Sequence, residues 1–500
     1  MKLSHFDVQY RISQKCIAAI IATIFACELR AELKLPAIFS DHAVLQRDMK
    51  VPVWGWAEPG KEVHVAIAGQ TQKATADDKG KWRVTLEPLS VSDKPLKLVV
   101  ESEGGRLERN DFLVGEVWLC SGQSNMEWPV TESWNADLTI PAANHPTIRL
   151  VRVKGQGSQT PVEDFDGGWQ ACTPDTVKGF SAVGYHFGRE LQQHLGVPIG
   201  LVDNSWGGSA CEAWIRRDRL EGNPLYATQL ANWDRIAAEY EKTKDPKQRD
   251  QLAGNHRPAN LYHARLGPIL GIALRGAIWY QGESNAGRAY QYREMFPLMI
   301  QNWREDWGQG EFPFYWVQLA DFMAEKPEPG DSAWAELREA QTMTQDRLPG
   351  TGQAVIIDIG EGADIHPRNK LEVAKRLARW ALARTYGRDI ACQSPRYESM
   401  TTEADAIVLK FKDVGGGLRT VDAAEVKGFA IAGDDRKWTW AEAKITAPDQ
   451  VTVRSSAVPN PVAVRYAWAD NPVCNLYNKV GLPVTPFRTD DWPGVTVEAR

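Results

Sequence analysis

The sequence predicts an α/β protein with a mainly parallel sheet, covered by helices on both faces and flanked by two β-rich units. Between Asp111 and about Gly387, strand-like apolar runs alternate with helix-like periodic stretches, which is the pattern of a parallel sheet with helical crossovers. Short alternating runs separated by turn residues precede this region and follow it. Five hundred residues leave ample chain for such an arrangement.

Residues 1–31 are expected to form a signal peptide. Arg11 and Lys15 precede an uncharged run from Cys16 to Cys27, which is too short to span a bilayer but has the length of a signal-peptide core. Cleavage after Ala31 would give an exported protein, periplasmic or extracellular. A lipid-anchored start at Cys27 is a weaker alternative, because bulky Phe25 stands where a smaller residue is usual. No other stretch is apolar and long enough to cross a membrane.

Residues 32–110 are predicted to form a β-sandwich, which we expect to brace the protein rather than to bind carbohydrate. Turn residues such as Glu58-Pro59-Gly60 separate its alternating runs. The predicted strands are Val51–Trp56, Glu62–Ala68, Lys81–Leu86 and Leu96–Glu101.

Residues 111–388 are predicted to form the α/β domain. Its last helix is expected to begin at Pro367, with Leu371, Ala374, Leu377 and Ala381 as its buried stripe. The predicted strands are Val114–Leu119, Pro198–Asp203, Leu274–Tyr280, Phe312–Leu319 and Ala354–Ile359, and the other helices are Ser181–Leu195, Tyr290–Trp307 and Ala333–Arg347.

Residues 389–500 are predicted to form a second β-rich unit that packs on the α/β domain. Gly- and Asp-rich turns break its apolar runs. These runs are Ala406–Phe411, Val426–Ala432, Gln450–Val453 and Val462–Trp468.

Charge and cysteine usage exclude several classes of function. The net charge is −6 at pH 7 and no long basic run occurs, so the footprint of a nucleic-acid-binding protein is missing. The five cysteines after residue 31 are far apart, which is not the pattern of a disulfide scaffold or a zinc site, although one or two bridges are compatible with it. They are Cys120, Cys172, Cys211, Cys392 and Cys474.

Ser124 is the candidate nucleophile. It lies in a small polar turn, Ser121 to Asn125, directly after the apolar run Val114–Leu119. A serine on a tight turn after a buried strand is held rigidly, with its hydroxyl exposed and backbone N–H groups beside it. A polar loop without catalytic function is the alternative for this stretch taken alone.

Four chemically suitable groups follow predicted strands: Ser124, Gly207, Gln281 and His366. In open α/β sheets, ligands bind at the carboxyl ends of the strands. A serine needs a base, and a histidine held by a carboxylate is the usual one. The tetrapeptide Asp364-Ile365-His366-Pro367 supplies both groups. The sequence therefore predicts a hydrolytic site at this edge of the sheet.

Several motifs, in this order, resemble the sialate O-acetylesterase family, whose members are carbohydrate acetylesterases of the SGNH-hydrolase superfamily. The resemblance covers nearly the whole chain after residue 31. The motifs are V-L-Q-R at 44–47, G-Q-S-N-M at 122–126, W-G-G-S at 206–209, W-Y-Q-G-E-S-N at 279–285, D-I-H-P at 364–367, R-Y-A-W at 465–468, N-L-Y-N at 475–478 and G-L-P at 481–483.

The resemblance implies a flavodoxin-like three-layer SGNH domain that removes acetyl groups from sugars without metal or cofactor. It implies Ser124 as nucleophile and His366 as general base and then acid. It further implies an oxyanion hole made of the N–H groups of Ser124 and Gly207 and one side-chain amide. For that amide we expect Gln281, with Asn285 as second choice.

The carboxylate that orients His366 departs from the usual pattern. Many SGNH enzymes carry it three residues before the histidine, where Ala363 stands here. We expect Asp364 in this role, with a main-chain carbonyl, Asp358 or Glu361 as alternatives. Glu283 is expected to form structural hydrogen bonds beneath the site.

The expected partner is an O-acetylated glycan, and the oligomeric state is left open. The acetylated sugar is a sialic acid, or a plant polysaccharide such as xylan or xyloglucan, with specificity set by loops around Trp128, Trp134 and Arg288. Two other classes of protein are less consistent with the sequence. A non-catalytic glycan-binding protein would lack the nucleophile or base, and a metal-dependent deacetylase needs a histidine–carboxylate grouping that the chain does not show.

Overall fold

The computed structural model describes residues 32–499. The predicted signal peptide, with its alternative start at Cys27, therefore lies outside the described residues. No helix within 32–499 has both the length and the apolar character needed to cross a membrane.

A seven-stranded sheet forms the centre of the molecule. Its strand order is β13-β12-β11-β7-β10-β8-β9, and every neighbouring pair is parallel except β8 with β9. The strands are β7 Gly105–Gly122, β8 His145–Arg152, β9 Gln170–Cys172, β10 Ile199–Asp203, β11 Gly276–Tyr280, β12 Phe314–Val317 and β13 Thr351–Ala354.

Helices cover both faces of this sheet, as the alternating sequence pattern predicts. Helices α3 and α9 pack on one face and α7 and α8 on the other, and their buried side chains belong to two different apolar clusters. The helices are α1 Ser124–Glu127, α2 Ala136–Ala142, α3 Ala182–Leu195, α4 Arg217–Leu220, α5 Pro224–Thr243, α6 Pro246–Leu252, α7 Ala289–Trp307, α8 Ala333–Arg347 and α9 Lys370–Trp380.

The N-terminal β-rich region shares strand β7 with the central sheet. The amino-terminal part of β7 pairs with β6, and β1 pairs with its middle at Leu113 to Gly115. The boundary expected between residues 110 and 111 thus falls within one continuous strand. The other strands here are β1 Val44–Gln46, β2 Val51–Trp56, β3 Glu62–Ile67, β4 Gln70–Thr75, β5 Lys81–Leu86 and β6 Ser92–Ser102.

The C-terminal region is β-rich and has its own apolar core. Two buried residues of the central region, Val355 and Ile357, belong to that core. The strands are β14 Arg396–Glu403, β15 Ala406–Lys412, β16 Leu418–Thr420, β17 Phe429–Ala432, β18 Thr439–Trp440, β19 Glu442–Ala447, β20 Gln450–Arg454, β21 Ala463–Tyr466, β22 Leu476–Asn478 and β23 Phe487–Arg488.

Two predicted element boundaries around the histidine loop are wrong. The run Ala354–Ile359 is strand only at its first residue, because Val355 and Ile357 turn into the C-terminal core instead of continuing the sheet. The last helix begins at Lys370 and not at Pro367, because the Asn369 side chain caps it by accepting the backbone N–H of Glu372.

Candidate active site

The predicted site residues follow the carboxyl ends of parallel strands. Strand β7 lies between β10 and β11, with Asp203 opposite Cys120 and Tyr280 opposite Gly122. The loops that leave these strands therefore begin side by side at one edge of the sheet, where ligands bind in open α/β folds.

The nucleophile turn depends on Gly122. Its φ of +138° suits glycine, and a Cβ there would lie 2.2 Å from the carbonyl oxygen of Tyr280. The chain then passes through extended Gln123 into the single helical turn α1, which Ser124 opens. Backbone N–H groups of a first helical turn have no partner within the helix, so the N–H of Ser124 is available beside its own hydroxyl.

Ser124 and His366 meet although 242 residues separate them. The Oγ of Ser124 lies 2.9 Å from Nε2 of His366, so the hydroxyl can donate to a neutral imidazole. The ring of Trp128 stacks on the imidazole, with ring centroids 4.7 Å apart. This contact holds the imidazole plane in place.

Asp364 is the carboxylate beside the imidazole. Its Oδ1 accepts the backbone N–H of His366 at 2.9 Å and lies 3.5 Å from Nδ1. The two alternative carboxylates have other partners. Asp358 pairs with Arg376, and Glu361 accepts the backbone N–H of Arg368.

The surroundings of His366 favour its neutral form. Partial burial lowers the pKa of His366, the nearby cation of Lys370 lowers it further, and the carboxylates of Asp364 and Glu132 act in the opposite direction. A neutral imidazole is the form that can accept a proton from serine.

Gly207 lies against Ser124, and its N–H points to a carboxylate. A Cβ on Gly207 would be 3.6 Å from Cβ of Ser124, while its N–H donates to Oε2 of Glu127 at 2.6 Å. Glu127 also lies near Arg152, with 3.6 Å between Oε1 and the guanidinium. A carboxylate oxygen thus accepts from the N–H group that the family resemblance assigns to the oxyanion hole.

The side-chain amides of Gln281 and Asn285 donate to partners other than Ser124. Gln281 is fully buried, and its Nε2 donates to the carbonyl of Ser209 and to Oδ1 of Asn285. The Nδ2 of Asn285 donates to Glu212. Both N–H bonds of the Gln281 amide are therefore used inside a buried network, and one of them would have to be released for Gln281 to bind an oxyanion.

Gln123, whose side-chain amide is next to Ser124 in the chain, was not among the site residues predicted from the sequence. Its Oε1 accepts the backbone N–H groups of Gly282 and Ser284 at 3.4 Å each. Its Nε2 donates to no protein acceptor among residues 32–499. Its position directly before Ser124 could have identified it, because a residue there belongs to the same rigid turn.

Lys370, Asn125 and Glu283 form a buried polar cluster beside Ser124 and His366. Asn125 accepts from Nζ of Lys370 at 2.5 Å and donates to Oε1 of Glu283 at 2.6 Å. Glu283 thus has the structural hydrogen bond expected of it. Lys370 was missed, although it lies four residues before Ala374 and so extends the buried stripe of its helix by one turn.

The remaining predictions fall in different places. The backbone N–H of Trp134, whose side chain is 54% exposed, donates to the carbonyl of Arg368 beside the histidine loop, whereas Arg288 pairs with buried Glu212. The five cysteines of the described chain are free thiols. Across residues 32–499 no group of three or more His, Cys, Asp or Glu side chains is arranged to hold a metal ion.

Comparisons with known proteins agree with a carbohydrate esterase. Residues 114–245 and 257–378 match the family described as "Carbohydrate esterase, sialic acid-specific acetylesterase". The sialate O-acetylesterase of Homo sapiens is 30% identical over 92% of this chain and 94% of its own length, and that of Mus musculus is 29% identical over 91% and 94%. The crystal structure of a novel carbohydrate acetylesterase from Xanthomonas citri superimposes with a TM-score of 0.82 at 41% identity and covers 92% of this chain and 100% of that one.

The family match and these relatives thus identify a carboxylic ester hydrolase that acts on carbohydrate. The chain belongs to the family of sialic acid-specific acetylesterases.

Proposed function

We propose that this carbohydrate O-acetylesterase works through a serine acyl-enzyme mechanism with Ser124, His366 and Asp364. The observation that carries the proposal is the 2.9 Å contact between Oγ of Ser124 and Nε2 of His366. Nucleophile and base within hydrogen-bond reach, with a third group orienting the base, define this mechanism in geometric terms.

The proposed reaction has two stages. Ser124 attacks the acetyl carbonyl while His366 takes its proton, and the imidazolium then protonates the departing sugar oxygen. Water next attacks the acetyl-enzyme, giving its proton to His366, which returns a proton to Ser124 as acetate leaves. Asp364, 3.5 Å from Nδ1, would stabilise the imidazolium in both stages.

The proposed oxyanion hole combines the N–H groups of Ser124 and Gly207 with the Nε2 amide of Gln123. The Glu127 carboxylate, 2.6 Å from the Gly207 nitrogen, supports this assignment because that N–H already holds a negatively charged oxygen. Substrate would have to displace Glu127 from this donor. Each such donor contributes about 3–4 kcal/mol to lowering the barrier.

We further propose that the central region is a three-layer SGNH domain and that the chain is exported through residues 1–31. The parallel sheet with helices on both faces supports the first part. The action on a glycan and the uncharged run from Cys16 to Cys27 support the second.

The proposed substrate is an O-acetylated sialic acid, with acetylated xylan or xyloglucan as the alternative. The curated relatives at about 30% identity are sialate O-acetylesterases, which favours the first. The 41% identical structure is described only as a carbohydrate acetylesterase, which is compatible with acetylated xylan or xyloglucan. Exposed Trp134, next to the histidine loop, offers a sugar ring a flat apolar face in either case.

The decisive experiment measures acetate release from O-acetylated sialic acids, xylan and xyloglucan fragments and a simple aryl acetate. Ser124→Ala and His366→Ala should each lose at least about a thousandfold in rate while keeping the wild-type circular dichroism spectrum. A folded Ser124→Ala protein with full activity would overturn the mechanism. The ranking of kcat/KM across the panel identifies the sugar.

A further inference from the structure

The Lys370 side chain is buried, and no carboxylate among residues 32–499 pairs directly with it. It is 0% exposed, its Nζ donates to Oδ1 of Asn125 at 2.5 Å, and it lies 5.6 Å from the ring centroid of Trp128 and 5.3 Å from that of Tyr280. Burying an ammonium group is costly unless such contacts replace water. A simple packing role would be better served by an apolar side chain.

The acceptor, Asn125, joins the two chain segments that carry the reacting atoms. It follows Ser124 in the chain, and its Nδ2 donates at 3.0 Å to the carbonyl of Ile365, which precedes His366. The same Nδ2 donates to Glu283. A hydrogen bond thus spans from the nucleophile turn to the histidine loop.

Lys370, Glu283 and the carbonyl of Ile365 together determine which way the Asn125 amide faces. A lysine ammonium only donates hydrogen bonds, so the amide oxygen has to face Lys370. The amide nitrogen then faces the carbonyl of Ile365 and the carboxylate of Glu283, both of which need a donor. Without the ammonium, the amide oxygen of Asn125 would lose its buried donor, and only Glu283 and Ile365 would hold the amide in place.

We propose that Lys370 is a positioning residue, whose ammonium fixes the Asn125 amide and thereby holds the nucleophile turn in register with the histidine loop. The inference rests on the proposed roles of Ser124 and His366. It adds a residue that touches neither substrate nor the reacting atoms but sets the distance between them.

Lys370 also acts on the charge of His366. Burial lowers the pKa of Lys370 to about 7, against the opposing effect of the carboxylates of Glu283, Asp364 and Glu361. Lys370 is therefore charged at the mildly acidic pH at which His366 would take up a proton. There it lowers the pKa of His366, whereas Asp364 and Glu132 raise it.

The test compares Lys370→Met with Lys370→Gln. Methionine removes both the charge and the donor, whereas glutamine, whose side chain is one bond shorter, removes the charge and offers Asn125 a neutral N–H donor. Lys375→Met is the matched control, because Lys375 lies on the same helix, 43% exposed, and its nearest carboxylate oxygen, on Glu372, is 3.9 Å away. The readouts are kcat and kcat/KM for an aryl acetate as a function of pH, and the His366 pKa from NMR titration.

We expect Lys370→Met to lower kcat at least about tenfold, because the two reacting groups lose their register. The pKa of His366 should rise by about half a unit or more, because a neighbouring positive charge is gone. The pH below which kcat/KM declines, called the acid limb of the pH profile, should rise by the same amount. Lys370→Gln should show the same pKa rise with a smaller loss of kcat, and Lys375→Met should match wild type.

A folded Lys370→Met protein with the wild-type kcat and acid limb would overturn the proposal. So would a loss of activity that only follows the unfolded fraction, with no change in the His366 pKa. If the methionine variant does not fold, the glutamine variant decides by the same criteria. Failure of the proposed function gives a different result, since wild type would then release no acetate while the NMR titration still reports the Lys370 effect.

Discussion

At the scale of single residues, the proposed chemistry is concentrated in Gln123 to Glu127. In the proposed mechanism Ser124 supplies the hydroxyl, Gln123 the Nε2 donor to the oxyanion, and Asn125 the link to the histidine loop. Glu127 holds the N–H of Gly207. Because one turn carries these four side chains, a small displacement of its backbone would disturb all of their contacts together.

Replacing Gln123 tests the assignment of the oxyanion amide. Gln123→Ala should lower kcat by about 10²–10³ with little change in KM, because a donor to developing charge acts in the transition state. Steady-state kinetics on an aryl acetate measure this. Gln192→Ala is the control, since that glutamine bonds to Thr147 away from the site. An unchanged kcat in folded Gln123→Ala would exclude Gln123 as the amide of the oxyanion hole.

The pH profile tests the environment of His366. Burial and Lys370 lower the pKa of His366, so its base form persists to lower pH and the acid limb of kcat/KM should lie below about 6.5, the ordinary histidine value. Asp364→Asn removes a negative charge that raises this pKa, so the limb should move further down. The same change should cut kcat by about 10²–10⁴, because Nδ1 loses its carboxylate. A limb that moves up would contradict the role of Asp364.

At the scale of elements, the decisive feature is the ending of β7. The strand ends at Gly122, where the chain passes so close to Tyr280 that a side chain has no room. The turn that follows places Ser124 at the start of α1, beside Gly207 in the loop after β10. This close backbone contact between two neighbouring strands therefore helps to fix the position of Ser124.

Gly122→Ala tests this contact. Both the positive φ and the 2.2 Å approach of a Cβ to the Tyr280 carbonyl oppose it, so the free energy of unfolding should fall by at least about 2 kcal/mol. Activity should fall with it as the turn shifts. Denaturant unfolding gives the free energy, and Gly104→Ala is the control because a Cβ there meets nothing within 4 Å. Equal stability of the two variants would show that the turn is not constrained in this way.

At the scale of the whole molecule, the three regions share structure. Strand β7 belongs to both the N-terminal sheet and the central sheet. Val355 and Ile357, at the start of the histidine loop, pack in the C-terminal core. Arg338 of α8 is fully buried and donates to the carbonyls of Ala469 and Asp470. The flanking regions therefore help to support the loop that carries His366.

A fragment of residues 111–388 should consequently fail to fold as an independent unit. It would expose one edge of β7 and the side chains of Val355 and Ile357, which are 1% and 2% exposed in the full protein. Thermal unfolding followed by circular dichroism should show no cooperative transition for the fragment, whereas residues 32–499 should unfold cooperatively. A soluble, active fragment would show that the central region is autonomous.

The sequence by itself predicted the α/β architecture, most strands and helices, and the candidates Ser124, His366 and Asp364. Periodicity and turn chemistry are local signals, and strand ends converge at one sheet edge whatever the details of packing. The motif order added the family, which the comparisons confirm.

Tertiary structure alone decided which polar groups have partners. Gln281 follows a strand as the motif requires, yet both N–H bonds of its amide donate to Ser209 and Asn285. The Nε2 of Gln123, in contrast, donates to no acceptor among residues 32–499. Lys370 is a lysine that sequence analysis did not identify, and it is buried beside Trp128 and Tyr280. Ser209 and Gln281 are 72 residues apart, and Asn125 and Lys370 are 245 apart, so which acceptor an amide or an ammonium meets depends on the packing of the whole chain.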